Sequence, residues 1–199
     1  NPAFLLKQAV TVDHASAGRL DFGIGAAWHQ DEHRRLGFDF PPAGERAERV
    51  EETVQIVKAL LTSDDVDFEG RHYRLHKAFY RPRPVQSPHP PIWIGASGEK
   101  VMLPLAARHA DVWHGSGSVD GLARKSAIVD RAAEAAGRDP AEIGRATDLS
   151  ISEPWDEVRR VAEGLRKAGF THLIASWPGE GQGRVEEFVA KVLPELLAG

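Results

Sequence analysis

The 199-residue sequence contains no cysteine, which excludes several kinds of chemistry at once. Without thiols the chain cannot form disulfide bonds, thiolate metal sites or a cysteine nucleophile. It also lacks a run of basic residues, and 25 Lys and Arg against 29 Asp and Glu give a formal net charge of −4. Because nucleic acids and anionic lipids attract basic surfaces, we expect neither as a partner.

Long apolar segments are missing as well. No apolar run approaches the about 20 residues that a membrane-spanning helix needs, and none has the pattern of a signal peptide. We therefore expect a cytoplasmic protein that does not associate with membranes. The composition, with 42% apolar and 27% charged residues, is ordinary for a soluble protein, and we assign residues 1–199 to a single domain.

The start of the chain is unusual for a complete domain. Asn1 and Pro2 suit the N-cap and the first position of a helix over residues 3–12. No initiator methionine precedes them, and no strand precedes the helix for it to cover. We therefore expect the domain to be incomplete at its N-terminus.

Strand signals and helix signals alternate along the rest of the chain. Strands are expected at 19–25, 92–94, 110–114, 146–151 and 171–177, the last of them buried, and helices at 45–61, 100–109, 119–136, 154–168 and 185–197, with a bend at Pro194. A hairpin over 66–75 is an excursion from this pattern. Repeated strand-helix units predict an α/β fold with a parallel sheet.

Two parallel folds are compatible with this order, a doubly wound sheet and a TIM barrel. Gly23 and Gly25 follow a strand, but Trp28 stands where a dinucleotide-binding fingerprint has its third glycine, which counts against the first fold. A complete (β/α)8 barrel has about 250 residues, so five strand-helix units fit a barrel without its first three strands. In both folds the ligand lies at the carboxyl ends of the strands.

The stretch over residues 90–100 reads as a strand, a tight turn and a helix start. Gly95 and Gly98 are expected to let the backbone turn sharply and to keep Cβ atoms away from the helix N-terminus. Unpaired N–H groups and the positive end of the helix dipole at that point can bind an anion such as a phosphate. In the alternative interpretation the glycines serve only the turn.

A second candidate site contains His29, Glu32 and His33, which have the H-x-x-E-H spacing of inverted zinc proteases. On a helix the two histidines would share a face and could both bind zinc, with Glu32 polarising the water. Alternatively, the segment is a solvated polar turn, or Trp28, His29 and Glu32 line a pocket where they contact a ligand and exchange protons. His114, at the end of another strand, is either a hydrogen-bonded rim residue or a ligand contact.

Several motifs share their order and spacing with a known family. They are Asp13 to Leu20, Gly23 to His29 with Glu32, Arg46 with Val50 to Glu52, Phe68 to Gly70 with Tyr73, Pro82 to Gly95, and Ala106 to Trp113. In these motifs the chain resembles the luciferase-like monooxygenase superfamily, particularly its coenzyme F420-dependent oxidoreductases. The resemblance implies a (β/α)8 TIM barrel with the cofactor at the carboxyl ends of its strands, and a chain that begins after the third strand.

The resemblance also implies the roles of individual residues. Gly95, Ala96, Ser97 and Gly98 correspond to the phosphate-binding turn of the family, and Gly25 and Ala26 correspond to a second backbone turn that approaches the cofactor. The family usually has glycine near Ala27, so this chain departs from the pattern there. His29 and Glu32 are the candidate proton donors, and the family's other active-site residues lie on the strands that are absent.

The implied reaction is hydride transfer between coenzyme F420 and a small organic substrate, with a homodimer as a candidate assembly. In the FMN branch of the family the reaction is flavin-mediated oxygen activation, so an FMN-dependent monooxygenase is the first alternative. A zinc hydrolase using His29, Glu32 and His33 is an alternative from another class. The last alternative is a fragment without catalytic activity.

Overall fold

The computed structural model describes residues 1–198. The helices are α1 (Pro2–Ala15), α2 (Gln30–Leu36), α3 (Ala43–Thr62), α4 (Met102–His109), α5 (Val119–Ala135), α6 (Trp155–Lys167), α7 (Gln182–Lys191) and α8 (Leu193–Ala198), with a short 3-10 helix at Pro140–Glu142. The strands are β1 (Phe22–Gly25), β2 (Val66–Glu69), β3 (Arg74–Ala78), β4 (Ile92–Gly95), β5 (Val112–His114), β6 (Gly144–Ser150) and β7 (His172–Ser176). No helix within this range is both long and apolar enough to cross a membrane.

The chain divides into two compact units. The first contains residues 1–96 and 109–111, and the second contains residues 97–108 and the chain from 112 onward. In the first unit β1 and β4 pair in parallel, and in the second β5, β6 and β7 pair in parallel. These pairings confirm the predicted α/β fold with parallel strands. The assignment of the whole chain to one domain stays a prediction.

Helices α1 and α3 pack together in the first unit. The side chain of Asn1 accepts hydrogen bonds from the amides of Ala3 and Phe4, as its expected N-cap position requires. Helix α3 buries its apolar face at the predicted spacing of three and four residues, at Ala47, Val50, Val54, Val57 and Leu61. This periodicity places one side of α3 in the core of the unit.

The predicted hairpin consists of β2 and β3, which pair antiparallel. A side chain of α3 holds its turn, because the Glu52 carboxylate accepts hydrogen bonds from the amides of Arg71 at 2.7 Å and of His72 and Tyr73 at 3.0 Å. A Cβ atom on Gly70 would overlap this carboxylate and the Phe68 ring. Glycine is therefore required at residue 70 by packing.

In the second unit helices cover one face of β6. Leu149 of β6 and Ile151, which comes just after the strand, pack with Phe188 of α7 and with Val158 and Ala162 of α6. The last helix is interrupted as expected, but the break between α7 and α8 lies at Val192, before Pro194. Proline has no N–H group to bond to the preceding turn, so the interruption precedes it in the chain.

The prediction that the strand over 171–177 is buried is wrong. Most residues of β7 are exposed, and Ile174 is 43% accessible to solvent. Trp177, which follows the strand, is 73% accessible. Leu173 packs on the core beside α6 and α7, whereas the opposite face of the strand is open. An apolar run does not indicate whether one face or both faces of a strand are covered, and in this strand one face is covered.

Candidate functional site

Glycines occupy the carboxyl ends of the two parallel strands in the first unit, β1 and β4. Gly25 of β1 lies opposite Gly95 of β4, and both are exposed. A Cβ atom on Gly25 would lie 3.6 Å from the Gly95 oxygen, and one on Gly95 would lie 3.9 Å from the Ile24 oxygen, which are ordinary contacts. Neither glycine has a positive φ, so the fold itself does not require glycine there. The missing side chains leave the backbone open to close approach by a ligand.

The loop after β1 is fixed by an arginine of α3. Arg46 donates a hydrogen bond from Nε to the Ala26 oxygen at 2.8 Å and one from Nη1 to the Pro41 oxygen at 2.5 Å. Its guanidinium group also stacks on the Phe40 ring, 3.9 Å from the ring centroid. Sequence reasoning recognised Arg46 as part of a motif but did not identify this role. The contact orients the backbone at one of the candidate cofactor positions.

Ala27, the next residue in this loop, has a left-handed backbone with φ of 57°. Glycine adopts this conformation without steric cost, whereas alanine does so with strain. The structure therefore gives a physical reason for the glycine that the family pattern has near this position. Gly25, Ala26, Ala27 and Arg46 border a cleft of about 320 Å³ within the first unit.

The turn that leads into α4 has free backbone donors. The second unit begins inside this turn, at Ser97, and Ser97 and Gly98 are both exposed. Within residues 1–198, the amides of residues 97–100 donate no hydrogen bond. These N–H groups have no acceptor among the described residues, and anion binding at this turn stays a prediction.

The helix after this turn begins at Met102, two residues later than predicted. Neither Gly98 nor Gly95 has a positive φ, so the backbone makes this turn without a conformation that only glycine adopts easily. A Cβ atom on Gly98 would meet only Met102, at 3.8 Å. As at Gly25, the protein itself does not use the space that the missing side chain leaves.

His29 and Glu32 lie together at the start of α2. His29 is the N-cap, and its Nδ1 accepts a hydrogen bond from the Glu32 amide at 3.0 Å. Because Nδ1 accepts, Nε2 carries the hydrogen of the neutral ring. Trp28, with 85% of its surface exposed, packs edge to face with His29 at 5.0 Å between ring centroids. These residues line an open cleft of about 490 Å³ within the first unit.

The zinc alternative has no geometric support in the described part of the chain. His33 directs its Nδ1 to the His29 carbonyl oxygen at 3.1 Å, and its ring packs edge to face with Phe40. Over residues 1–198 no group of three His, Asp or Glu side chains is placed to hold a metal ion. The H-x-x-E-H spacing at this position is part of a capped polar helix.

A buried carboxylate anchors the proline-rich segment that leads into β4. Asp13 is fully buried and accepts hydrogen bonds from the Val85 amide at 2.6 Å and from Nε2 of Gln86 at 2.9 Å. Burial by itself raises the pKa of this carboxyl, but the hydrogen bonds from Gln86 and Val85 outweigh burial and hold the pKa below its ordinary value. Asp13 is therefore charged at neutral pH and ties the approach to β4 onto α1.

Comparison with known proteins gives relatives for nearly the whole chain. The luciferase-like monooxygenase family matches residues 1–188. An FMNH2-dependent dimethylsulfone monooxygenase from Pseudomonas putida is 32% identical over 171 residues, which cover 84% of this chain and 46% of that protein. An F420-dependent glucose-6-phosphate dehydrogenase from Kineococcus radiotolerans is 27% identical, with 98% of this chain and 74% of that protein covered. The chain thus spans less than half of the Pseudomonas relative.

The fold agrees with that of a solved structure. The coenzyme F420-dependent tetrahydromethanopterin reductase from Methanopyrus kandleri superposes with a TM-score of 0.85 over 98% of this chain and 80% of that chain, at 18% sequence identity. Identity this low shows a shared fold and no more. The match of the family model over residues 1–188 shows that the chain belongs to the luciferase-like monooxygenase family.

Proposed function

We propose that the protein is an oxidoreductase that transfers a hydride between coenzyme F420 and a small organic substrate. In this proposal residues 1–199 supply the last five strand-helix units of a (β/α)8 barrel. The observation that carries it is the open backbone at Gly25, Gly95 and Gly98, where no packing or φ requirement of the protein explains the glycine. Family members that use F420 or FMNH2 support a cofactor at these positions.

The residues present fit a phosphate-bearing cofactor. The free amides from Ser97 to Lys100 can donate hydrogen bonds to a phosphate, and Gly98 leaves room for it beside them. Gly25, Ala26, Gly95 and Ala96 would give the backbone approach to the rest of the cofactor. When bound, the deazaflavin supplies the carbon that accepts or donates the hydride, while the protein orients the substrate.

Proton transfer is assigned to His29 and Glu32. The cap fixes the ring of His29 so that Nε2–H is the donor, and the Glu32 carboxylate borders the same cleft. A hydride that reaches a carbonyl carbon must be matched by a proton on the oxygen, which a positioned imidazole can supply. Both side chains are catalytic residues in this proposal.

An FMN-dependent monooxygenase is the second candidate, and the 32% identity to the Pseudomonas enzyme favours it. Both cofactors carry a phosphate, so the amides of the turn would serve either one. The two candidates share the assignments of Gly25, Ala26 and the turn from Gly95 to Gly98. They differ in the ring that the protein holds.

Anaerobic titration of the full-length protein with F420 and with FMN, in separate experiments, distinguishes the candidates. We expect F420 to bind with the lower dissociation constant, measured by the change in its fluorescence. Tight binding of FMN with no binding of F420 would replace the first candidate with the second. Failure of both cofactors to bind would favour a protein without catalytic activity.

The proposal also includes a homodimer and a cytoplasmic location. Analytical sedimentation tests the homodimer, and cell fractionation tests the location.

A further inference from the structure

An arginine of α3 joins the two ends of the segment that carries the candidate proton donors. Nε of Arg46 donates to the Ala26 oxygen, just before residues 27–40, at 2.8 Å. Nη1 donates to the Pro41 oxygen, just after them, at 2.5 Å. Because the guanidinium group is planar and its N–H groups have fixed directions, the two bonds together fix the separation of the two ends.

Aromatic contacts continue from Arg46 into this segment. The guanidinium group stacks on Phe40, 3.9 Å from the ring centroid. The Phe40 ring packs edge to face with the His33 ring at 5.0 Å between centroids. A cation over a ring face and an edge-to-face ring pair are both attractive arrangements. Arg46 therefore contacts His33 through a single ring.

His33 in turn holds His29. Nδ1 of His33 lies 3.1 Å from the His29 carbonyl oxygen. Because a carbonyl oxygen only accepts, Nδ1 of His33 carries the hydrogen and donates it. His29 then accepts from the Glu32 amide at its own Nδ1, at 3.0 Å. An unbroken series of contacts thus runs from the Ala26 backbone to His29 and Glu32.

This contact series is the link between α2 and α3. Over residues 1–198, the hydrogen bonds and ion pairs of residues 27–40 stay within that segment, as between Asp31 and both Arg34 and Arg35. Helix α2 has seven residues, and a helix that short is not stable by itself in water. The position of His29 relative to α3 therefore depends on the contacts of Arg46, Phe40 and His33.

Both ends of the series have a place in the proposed function. Ala26 is a candidate cofactor position, and His29 and Glu32 are the candidate proton donors. A ligand that holds the Ala26 backbone also restrains Arg46, and Arg46 restrains His29 through Phe40 and His33. Chains of packed side chains and hydrogen bonds of this kind can carry energetic coupling between sites.

We propose that Arg46 and His33 are positioning residues, which couple a cofactor bound at Ala26 to the placement of His29 and Glu32. The contacts themselves follow from the geometry, while their part in the reaction rests on the proposed oxidoreductase function. His33 acts through its ring and its Nδ1–H and contacts neither cofactor nor substrate. Binding of the cofactor thereby sets the proton donors in place.

The Glu32 amide provides a direct test, because it donates to Nδ1 of His29. The rate at which this amide exchanges with water, measured by NMR in the full-length protein without cofactor, reports how well His29 is held. His33→Ala and Arg46→Ala are each expected to raise the rate about tenfold, the effect of losing a hydrogen bond that fixes the segment.

The response to cofactor separates positioning from a purely structural role. Saturating F420 is expected to slow exchange of the Glu32 amide several-fold in the wild type, and to leave it unchanged in His33→Ala. The dissociation constant of F420 should be the same in both proteins, because Arg46 keeps its bonds to Ala26 and Pro41 when His33 is replaced. A purely structural role of His33 would leave the response to F420 intact.

Arg34→Ala is the matched control, because Arg34 is next to His33 on α2 and its exposed side chain pairs with Asp31. It should leave the exchange rate and the response to F420 unchanged. Wild-type exchange in both His33→Ala and Arg46→Ala would overturn the proposal, as would a wild-type response to F420 in His33→Ala. Circular dichroism shows whether each variant is folded.

His33→Phe decides the question if His33→Ala unfolds. Phenylalanine retains a ring beside Phe40 but has no donor for the His29 oxygen. Faster exchange of the Glu32 amide in this variant would support the proposal, and wild-type exchange would reject it.

Cofactor titration of the same samples separates this proposal from the proposed function. Normal F420 binding, with wild-type exchange of the Glu32 amide in the variants, would reject the positioning role and leave the function. Faster exchange in the variants of a protein that binds neither F420 nor FMN would retain the contact series and reject the function.

Discussion

Arg46 donates a hydrogen bond from Nε to the backbone oxygen of Ala26 at 2.8 Å, across 20 residues of sequence. A side chain on α3 thereby sets the position of the loop after β1. Arg46→Ala is expected to raise the dissociation constant of the cofactor several-fold, because the loop loses its hydrogen bond at Ala26. The substitution also removes the contacts with Pro41 and Phe40 that hold the Arg46 side chain in place. Fluorescence titration measures the effect. Arg160→Ala, which removes an exposed partner of Glu157, is the control and should bind cofactor normally.

The turn before α4 is tested at Gly98. Gly98→Asp is expected to weaken cofactor binding about tenfold or more, because a carboxylate beside the free amides repels the phosphate and competes for its donors. Gly98→Ala separates charge from shape, since its Cβ would meet Met102 at an ordinary 3.8 Å. The alanine variant should have a melting temperature close to that of the wild type. Unchanged affinity of Gly98→Asp for the cofactor would show that the turn has a structural role only.

Ala27 provides a test of backbone strain. Its φ of 57° favours glycine, so Ala27→Gly is expected to raise the free energy of unfolding by about 1 kcal/mol despite the greater freedom of glycine in the unfolded chain. Urea unfolding measures the change. Ala132→Gly, within α5, is the matched control and should lower the same quantity by about 1 kcal/mol. Destabilisation by both substitutions would contradict the strain argument.

Gly70 and Glu52 are expected to be coupled. Gly70→Ala forces a Cβ atom into the space of the Glu52 carboxylate and should lower the free energy of unfolding by about 1 to 3 kcal/mol. In the background of Glu52→Ala the same substitution should cost less, and a double-mutant cycle measures the difference. Gly44→Ala is the control, because a Cβ atom there meets nothing within 4 Å.

Asp13 predicts a pH dependence of stability. Its pKa is lowered in the folded protein from an ordinary value of 3.8, so the folded state binds fewer protons than the unfolded state as this group titrates. The stabilisation is therefore complete above the unfolded pKa and is lost as pH falls through the folded pKa. Urea unfolding from about pH 7 to about pH 3 should show the stability of the wild type falling toward that of Asp13→Asn. A difference between the two proteins that stays constant over this range would refute the assignment.

Much of the secondary structure could be predicted because it depends on neighbouring residues. Asn1 caps α1 through amides two and three residues away, and α3 shows its buried face as a periodic pattern within one helix. The alternation of strands and helices similarly predicted parallel pairing. The turn before α4 was recognised from its composition, although neither Gly95 nor Gly98 has a positive φ.

The sequence by itself determined the family, the α/β class and the position of the glycine-containing turn before α4, since these follow from local pattern and motif order. Tertiary structure alone decided that Arg46 holds Ala26, that β7 is open on one face, and that His114 lies 3.7 Å from Asp148. Those relationships join residues far apart in the chain, and no local pattern in the sequence indicates which distant residues pack together. Register between strands and the covering of one sheet face by helices fix such contacts, and both exist only once the chain has folded.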